Sequence, residues 1–280
     1  MKIGTLNLNG ETWNLNNKKP RLPECLFDIN YIKTRLTEIL SIGLLNLLQK
    51  EEYDIIAIQE LVFIQDIFND IKKVVENETK NYYTLVVPNF NEAKKSCKIK
   101  RTPHFTVGYI IKTELIDCCE FESLDEFILN RHFICTYKSK KGIPAFKMLN
   151  LHIPCGNKEQ YKNLYNLLSK VEAEDIIFLG DLNTYQTCQI EGEKPSSVQE
   201  HLFEVLKNKN FSCSEDGYKN YTYLISNKWR KLDHIYYSKS IDKKYTIIEN
   251  KVDDVNYYSE LGKKQGFTDH SMLEVEITPK

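Results

Sequence analysis

The sequence lacks two features that would assign it to a class at once. It has no excess of one charge, because 38 Lys and Arg face 39 Asp and Glu, for a formal net charge of −1. This excludes a polycation that binds nucleic acid through its overall field, so any such contact must come from a local basic patch. It also has no apolar run near the roughly 20 residues that a membrane helix requires. The first residues, Met1–Leu6, lead directly into a strand-like segment, so we expect neither a signal peptide nor membrane association.

Cysteine motifs for redox chemistry or zinc binding are also missing. None of the eight cysteines forms a Cys-x-x-Cys pair, and no Cys/His cluster has the spacing of zinc ligands. Several cysteines lie in apolar runs, as Cys135 does after Phe133 and Ile134. In a chain of this length that pattern is typical of reduced, buried thiols, so we expect a reducing, cytoplasmic location.

No repeat, low-complexity linker or break in composition divides the 280 residues, of which 41% are hydrophobic. This predicts a single domain over residues 1–280 with a sizeable core.

Apolar runs and helical periodicities alternate along the chain. The first strand is predicted at Ile3–Leu8, and a helix capped by Asp28 is predicted at Ile29–Lys50. The run Ile55–Ile58 is short enough to be a buried strand. Further helices are predicted at Val62–Glu76, Lys158–Lys170 and Val198–Lys207. Further strands are predicted at Tyr82–Val87, Thr106–Ile111, His132–Lys138, Phe146–His152, Asp175–Leu179, Tyr221–Leu224, Leu232–Tyr237, Tyr245–Ile248 and Met272–Ile277. The pattern favours an α/β fold in which helices cover β-sheet.

Polar side chains suited to phosphate chemistry lie at the ends of separate predicted strands. They are Asn7, Glu60, His152, Asp181 with Asn183, Asp233, and Asp269 with His270. One polar residue at a strand end is commonplace. Because the strand ends of α/β scaffolds meet at one rim, six ends that carry carboxylates, amides and imidazoles indicate a shared site.

These residues belong to six short motifs that follow one another along the chain. The motifs are Thr5-Leu6-Asn7-Leu8-Asn9-Gly10, Asp54-Ile55-Ile56-Ala57-Ile58-Gln59-Glu60, Leu149-Asn150-Leu151-His152, Leu179-Gly180-Asp181-Leu182-Asn183, Lys231-Leu232-Asp233-His234-Ile235 and Thr268-Asp269-His270-Ser271. In this order they resemble the motifs of the endonuclease/exonuclease/phosphatase (deoxyribonuclease I-like) superfamily. The resemblance implies a four-layer α/β sandwich, in which two mixed β-sheets pack face to face with helices on the outside. It also implies a phosphodiester hydrolase that depends on Mg²⁺, with Mn²⁺ as a substitute.

The resemblance implies a metal site formed by Asn7, Glu60 and Asp269. Carboxylate and amide oxygens are hard ligands and suit Mg²⁺ or Mn²⁺. Asn9 follows Asn7 by two residues, so on a strand it would face the same side and could help to bind the substrate.

The remaining motif residues would handle the water and the phosphate. Asp181 and Asn183 are two residues apart, so on an extended stretch both would point the same way. Asp181 would then orient or deprotonate the attacking water while Asn183 holds the phosphate. His270 would act as the acid or base, with Asp233 fixing its tautomer. His152 would be a second imidazole at the scissile phosphate.

The partner of His152 is not identified by the motifs. His104 lies roughly where some members of the superfamily carry a catalytic Tyr or Glu. Arg131, at the beginning of a predicted strand, is a possible phosphate ligand.

Two segments could contact a nucleic acid. Lys98, Lys100 and Arg101 belong to the densest basic stretch of the chain, which could contact phosphates or could be an ordinary solvated loop. Trp229 and Arg230 combine an aromatic ring with a cation shortly before a motif aspartate, and such a pair could stack on a base.

We therefore expect a nuclease that hydrolyses DNA or RNA by in-line attack of an activated water, without a membrane or an obligate protein partner. The sequence shows no apolar hairpin like that of membrane-acting sphingomyelinases. Asp233 also lacks the neighbouring residues of the inositol-phosphatase pattern. One alternative is a phosphatase or a phospholipid or sphingomyelin phosphodiesterase on the same fold. The other is a non-catalytic nucleic-acid-binding module, against which the complete set of motif residues argues.

Overall fold

A computed structural model describes most of the chain. It covers residues 1–8, 43–50, 53–62, 65–89, 105–123, 131–140, 142–153, 158–171, 174–184, 197–213, 221–225, 228–252, 268 and 270–280. Strands β1 to β14 are, in chain order, Lys2–Asn7, Ile55–Val62, Tyr83–Val86, Phe105–Lys112, Cys119–Glu122, His132–Tyr137, Phe146–His152, Ile176–Asp181, Phe211–Ser212, Tyr223–Ile225, Lys228–Arg230, Asp233–Ser238, Tyr245–Val252 and Met272–Pro279. Helices α1 to α5 are Leu45–Lys50, Gln65–Glu78, Lys158–Val171, Ser197–Asn208 and Lys239–Lys244, and a 3₁₀ helix covers Thr113–Cys118.

Each predicted strand is present, and so are the predicted helices within the described residues. The predicted cap Asp28 and most of the first predicted helix lie outside those residues. One boundary was wrong: Val62 was placed in a helix but ends β2, because it pairs with Phe105 across the sheet.

Twelve of the strands form two six-stranded sheets, each with one parallel pair, and β10 and β11 form a separate antiparallel hairpin. The first sheet has the order β13-β14-β1-β2-β4-β3, in which only β1 and β2 run parallel. The second sheet has the order β5-β6-β7-β8-β12-β9, in which only β7 and β8 run parallel. Both sheets are therefore mixed, as the resemblance implied.

The two sheets pack face to face over a fully buried apolar layer. Val107 and Tyr109 of the first sheet lie in the same cluster as Met148, Leu179 and Ile235 of the second. Side chains alternate between the faces of a strand, so the other residues of these strands are turned outward.

Helices cover both outer faces. Phe68, Ile71 and Val75 of α2 follow helical spacing and pack in one cluster with Ile56 and Ile58 of β2. Leu164 and Leu168 of α3 and Leu202 of α4 pack in another cluster with Leu149 and Phe178. The molecule is therefore a four-layer α/β sandwich. No helix in the described residues is long and apolar enough to cross a membrane.

A buried polar network joins the two sheets beneath one edge, the rim where several strand ends meet. The Asn150 amide donates hydrogen bonds to the backbone oxygens of Ile58 (3.0 Å) and Gly108 (2.7 Å) in the opposite sheet. In return, Gln59 Nε2 donates to Asn150 Oδ1 (2.7 Å) and to Thr5 Oγ1 (3.0 Å). Buried amides require such partners, so the network fixes how the sheets are placed against each other.

The parallel pairs bring the strand ends to that same edge. Asn7, the last residue of β1, lies opposite Gln59 of β2, and His152 lies opposite Asp181 at the ends of β7 and β8. Strand β12 is antiparallel to β8, so its first residue, Asp233, also lies opposite Asp181.

Candidate active site

Glu60 is turned toward this edge by a β-bulge. The pairing of β2 with β4 shifts register between Ile58 and Leu61, and Glu60 has a φ of 52°. A left-handed conformation costs a non-glycine residue about 1–3 kcal/mol. The bulge breaks the alternation of the strand, so Gln59 reaches the inter-sheet network while Glu60 reaches the strand-end cluster.

Asn7 holds two carboxylates together. Its Nδ2 donates to Asp181 Oδ2 at 2.9 Å and lies 3.4 Å from Glu60 Oε1. The Thr268 hydroxyl in turn donates to the backbone oxygen of Asn7 at 2.7 Å. A neutral amide therefore bridges two negative groups that would otherwise repel each other.

Asp181 and Asn183 meet through a turn. Gly180 has a φ of 134°, and a Cβ there would lie 2.0 Å from the backbone oxygen of Leu151, so only glycine fits. The Asn183 N–H donates to Asp181 Oδ1 at 2.7 Å, and the φ of Asn183 is 48°. Its side-chain amide donates to Asp181 Oδ2 (3.2 Å) and to the Ile153 backbone oxygen (2.9 Å). The prediction of an extended backbone was wrong. The bond from the Asn183 N–H to Asp181 Oδ1 closes an Asx-turn, and this turn brings the two side chains together.

His270 is paired with a carboxylate. Its Nδ1 lies 2.7 Å from Asp233 Oδ2, and the Tyr223 ring packs against the imidazole with centroids 4.8 Å apart. The Thr222 hydroxyl accepts the N–H of Asp233 at 3.1 Å. Burial raises the pKa of Asp233, but the charge of His270 and hydrogen bonds from His270 and Thr222 outweigh it, so the pKa is lowered.

His152 is paired with a cation instead. Its Nδ1 lies 2.6 Å from Arg131 Nη1, while its Nε2 lies 3.4 Å from Glu60 Oε1 and 3.9 Å from Asp181 Oδ2. Burial, then the charges of Arg131 and His270, hold the pKa of His152 well below its usual value. The imidazole is therefore neutral near pH 7, and its contact with Glu60 is not an ion pair. Arg131 is the partner that the motifs did not identify.

The cluster fits a hard divalent cation. Ligand atoms of Glu60, His152 and Asp181 lie within 4.8 Å of one another, as do those of Asp181, Asp233 and His270. Burial and the charge of Asp233 raise the pKa of Asp181 to about 7, against the lowering effects of His270 and of hydrogen bonds from Asn183 and Asn7. The described residues thus leave the negative charge of Asp181 under-compensated, and Mg²⁺ prefers such carboxylate oxygens.

Most predicted site residues lie in one place. The structure brings together Asn7, Glu60, His152, Asp181, Asn183, Asp233 and His270. The predicted residues Asn9, Asp269, Lys98, Lys100 and Arg101 lie outside the described residues.

The other predicted substrate contacts lie near the cluster. Trp229 and Arg230 belong to β11, and Arg230 pairs with Tyr223 of β10. Tyr223 itself forms a β-bridge with His270, so this hairpin borders the site.

Sequence reasoning missed the residues that support the site. Gln59 and Asn150 were quoted within motifs, but their inter-sheet bonds depend on tertiary placement. Thr268 was likewise visible in its motif. Thr222 carried no local pattern that would have marked it.

Comparisons with known proteins agree with this architecture. No protein-family model matches the chain, and no curated protein matches it significantly. Among solved structures, a 3′ phosphatase from Neisseria bound to a product DNA hairpin is 15% identical, with 99% of both chains covered and a TM-score of 0.64. An endonuclease/exonuclease/phosphatase family protein from Bacteroides thetaiotaomicron is 16% identical, covering 99% of this chain and 97% of that one, with a TM-score of 0.61. An AP endonuclease from Leishmania major is 12% identical, covering 100% and 87%, with a TM-score of 0.62. The chain therefore has the fold of the endonuclease/exonuclease/phosphatase proteins.

Proposed function

We propose that this chain is a divalent-metal-dependent phosphodiesterase that hydrolyses nucleic-acid phosphodiester bonds, those of DNA first. One observation carries the proposal: three carboxylates, two amides and two imidazoles converge from both sheets into one cluster, in which all but Asn183 are buried. They are Glu60, Asp181 and Asp233, Asn7 and Asn183, and His152 and His270. Burying so many polar and charged groups opposes folding, which favours a functional reason for the cluster.

Glu60 and the side-chain oxygen of Asn7 would hold the cation, together with Asp269, whose motif implies that role. The amide nitrogen of Asn7 donates to carboxylates, so its oxygen would be the atom that faces the cation. When bound, the cation neutralises charge on the phosphoryl and leaving oxygens.

Asp181 would accept the proton of the attacking water. The Asn183 N–H and the Asn7 amide hold its carboxylate in one orientation. Its pKa of about 7 before a cation binds is close to what a general base requires near neutral pH. Both side-chain N–H groups of Asn183 donate to Asp181 and to the Ile153 backbone oxygen, so contact with the phosphate would require Asn183 to give up one of these bonds.

His270 would protonate the leaving oxygen as the phosphorus–oxygen bond breaks in line with the attacking water. Its Nδ1 is engaged by Asp233, so Nε2 is the atom that exchanges the proton. The buried carboxylate of Asp233 stabilises the positive charge that the His270 ring carries before it donates this proton. His152 would contact the same phosphate from the other side of the cluster.

Nucleic acid is favoured as the substrate by two observations. The hairpin that borders His270 carries Trp229 and Arg230 in its sequence, a combination suited to a base and a phosphate. The solved structures of the same fold include a phosphatase bound to a DNA hairpin and an AP endonuclease.

The test is hydrolysis by the purified full chain of four substrates: supercoiled plasmid, a 3′-phosphorylated oligonucleotide, sphingomyelin vesicles and inositol phosphates. We expect plasmid nicking with Mg²⁺, abolished by a chelator and restored by Mg²⁺ or Mn²⁺. Hydrolysis of the lipid or the inositol phosphates alone would reassign the substrate. Plasmid binding without cleavage would favour a non-catalytic binding module.

A further inference from the structure

Arg131 contacts His152 through both its backbone and its side chain. The His152 N–H donates to the Arg131 backbone oxygen at 2.8 Å, next to the pairing of β6 with β7. The guanidinium Nη1 lies 2.6 Å from Nδ1 of the same imidazole. Two contacts between the same pair of residues leave the ring little freedom to turn.

The side-chain contact allows only one arrangement of protons. A guanidinium carries five N–H donors and no acceptor, and it does not lose its proton in proteins. A neutral imidazole has one donor nitrogen and one acceptor nitrogen. Nδ1 of His152 must therefore accept the hydrogen bond from Arg131, and the ring proton must lie on Nε2.

The protonated Nε2 points into the cluster, where Glu60 Oε1 lies at 3.4 Å and Asp181 Oδ2 at 3.9 Å. A nitrogen that carries a proton has no lone pair for a metal ion, nor can it take a proton from water. It can only donate a hydrogen bond to an anionic oxygen.

We infer that Arg131 is a positioning residue that fixes His152 as the Nε2–H tautomer, so that His152 donates a hydrogen bond to the phosphate and does not bind the cation. This inference rests on the proposed function for the identity of the acceptor. The tautomer itself follows from the contact with Arg131 alone.

The decisive experiment is NMR of the full chain labelled with ¹⁵N-histidine, with and without Mg²⁺. The His152 signals are assigned by their loss in His152→Gln. We expect an unprotonated Nδ1 and a protonated Nε2 in the wild type and in Arg131→Lys, because an ammonium also only donates. In Arg131→Glu the carboxylate accepts instead, so the proton should move to Nδ1. In Arg131→Met the Nδ1 signal should shift because its hydrogen bond is lost.

Two NMR results would overturn the inference: a proton on Nδ1 in the wild type, or His152 signals unchanged in Arg131→Met. Arg230→Met is the matched control, since it also removes a guanidinium but should leave the His152 signals in place. The signals of His234 and His270 report whether any variant has altered the fold.

Kinetics of nicking a supercoiled plasmid or of cleaving a labelled oligonucleotide provide the second readout. Loss of a group that orients a site ligand typically lowers activity about 10- to 100-fold. We expect such a fall in kcat for Arg131→Met with KM little changed, and recovery in Arg131→Lys. A raised KM with unchanged kcat would instead identify Arg131 as a direct phosphate ligand and overturn the positioning role. If the wild type shows no nuclease activity, the proposed function fails, while the NMR result still decides the tautomer.

Discussion

The two imidazoles of the site are equally buried but have partners of opposite charge. His270 is 5% exposed and bonds the carboxylate of Asp233, whereas His152 is 3% exposed and bonds the guanidinium of Arg131. A carboxylate accepts a hydrogen bond from the ring and stabilises its positive form, while a guanidinium donates a hydrogen bond to the ring and disfavours a positive charge on it. The same side chain is thus suited to proton transfer on one side of Asp181 and to hydrogen-bond donation on the other.

Replacing each of the two histidines with glutamine should give the largest difference in kcat between the two roles. The side-chain amide of Gln can replace a hydrogen bond from Nε2, but it cannot transfer a proton. We expect His270→Gln to lower kcat by roughly 10² to 10⁴, the usual share of acid–base catalysis. His152→Gln should lower it by only about tenfold, within the worth of one hydrogen bond to a charged group.

Steady-state kinetics with circular dichroism will check this difference. His201→Gln is the matched control, because His201 is exposed on α4 and should leave kcat unchanged. Equal losses at positions 152 and 270 would contradict the division of roles between the two imidazoles.

The comparison also shows what the sequence could predict. Motif residues such as Glu60, Asp181 and His270 could be placed at one edge because each borders a strong apolar run, Glu60 and Asp181 at its end and His270 just before it. The pairing of Arg131 with His152 could not, because it depends on the register between β6 and β7 across 21 positions of the chain. The left-handed turn at Asn183 was missed for a similar reason, since a Gly-Asp-x-Asn motif is compatible with extended and turned backbones alike.

Two strands that were not predicted, β5 and β11, are short, and each is paired with another strand on one side only. β5 alternates half-buried and exposed residues, and β11 is the tripeptide Lys228–Arg230 with two charged side chains. Polar and apolar residues alternate over only four positions in β5 and three in β11, which is too short a run for the period to stand out in the sequence. Their pairing is decided by neighbouring strands, which is tertiary information.

Asp181, between the two imidazoles, should make the stability of the cation-free protein depend on pH. Its folded pKa of about 7 lies above its ordinary value of 3.8, so the folded state binds more protons than the unfolded state between these pH values. The contribution of Asp181 to stability should therefore fall as pH rises from 4 to 7, by roughly 4 kcal/mol at about 1.4 kcal/mol per pKa unit. The lowered pKa values of His152 and His234 act in the opposite direction, so this contribution is read from the difference between the wild type and Asp181→Asn. Asp181→Asn removes the charge and should be more stable than the wild type at pH 8 but not at pH 4.

Urea unfolding in the presence of EDTA measures this difference directly. Asp242→Asn, at an exposed position of α5, is the control and should show no comparable pH dependence. Mg²⁺ should stabilise the wild type at pH 8 and have much less effect on Asp181→Asn. A difference between variant and wild type that stays constant from pH 4 to pH 8 would contradict a burial-raised pKa at Asp181.

The smallest expected effect lies away from both imidazoles and separates binding from catalysis. If Lys98, Lys100 and Arg101 contact DNA phosphates, replacing all three with Gln should weaken binding and reduce the slope of log K against log salt by about 0.9 for each contact. The control replaces Lys73, Lys162 and Lys207, which are exposed on the outer helices, and so removes the same total charge. Because the catalytic cluster is untouched in both variants, kcat at saturating DNA should stay near the wild-type value while KM rises only in the first. Equal salt slopes in the two variants would show that residues 98–101 are an ordinary solvated loop, and the hairpin beside His270 would then be the remaining candidate for the DNA contact.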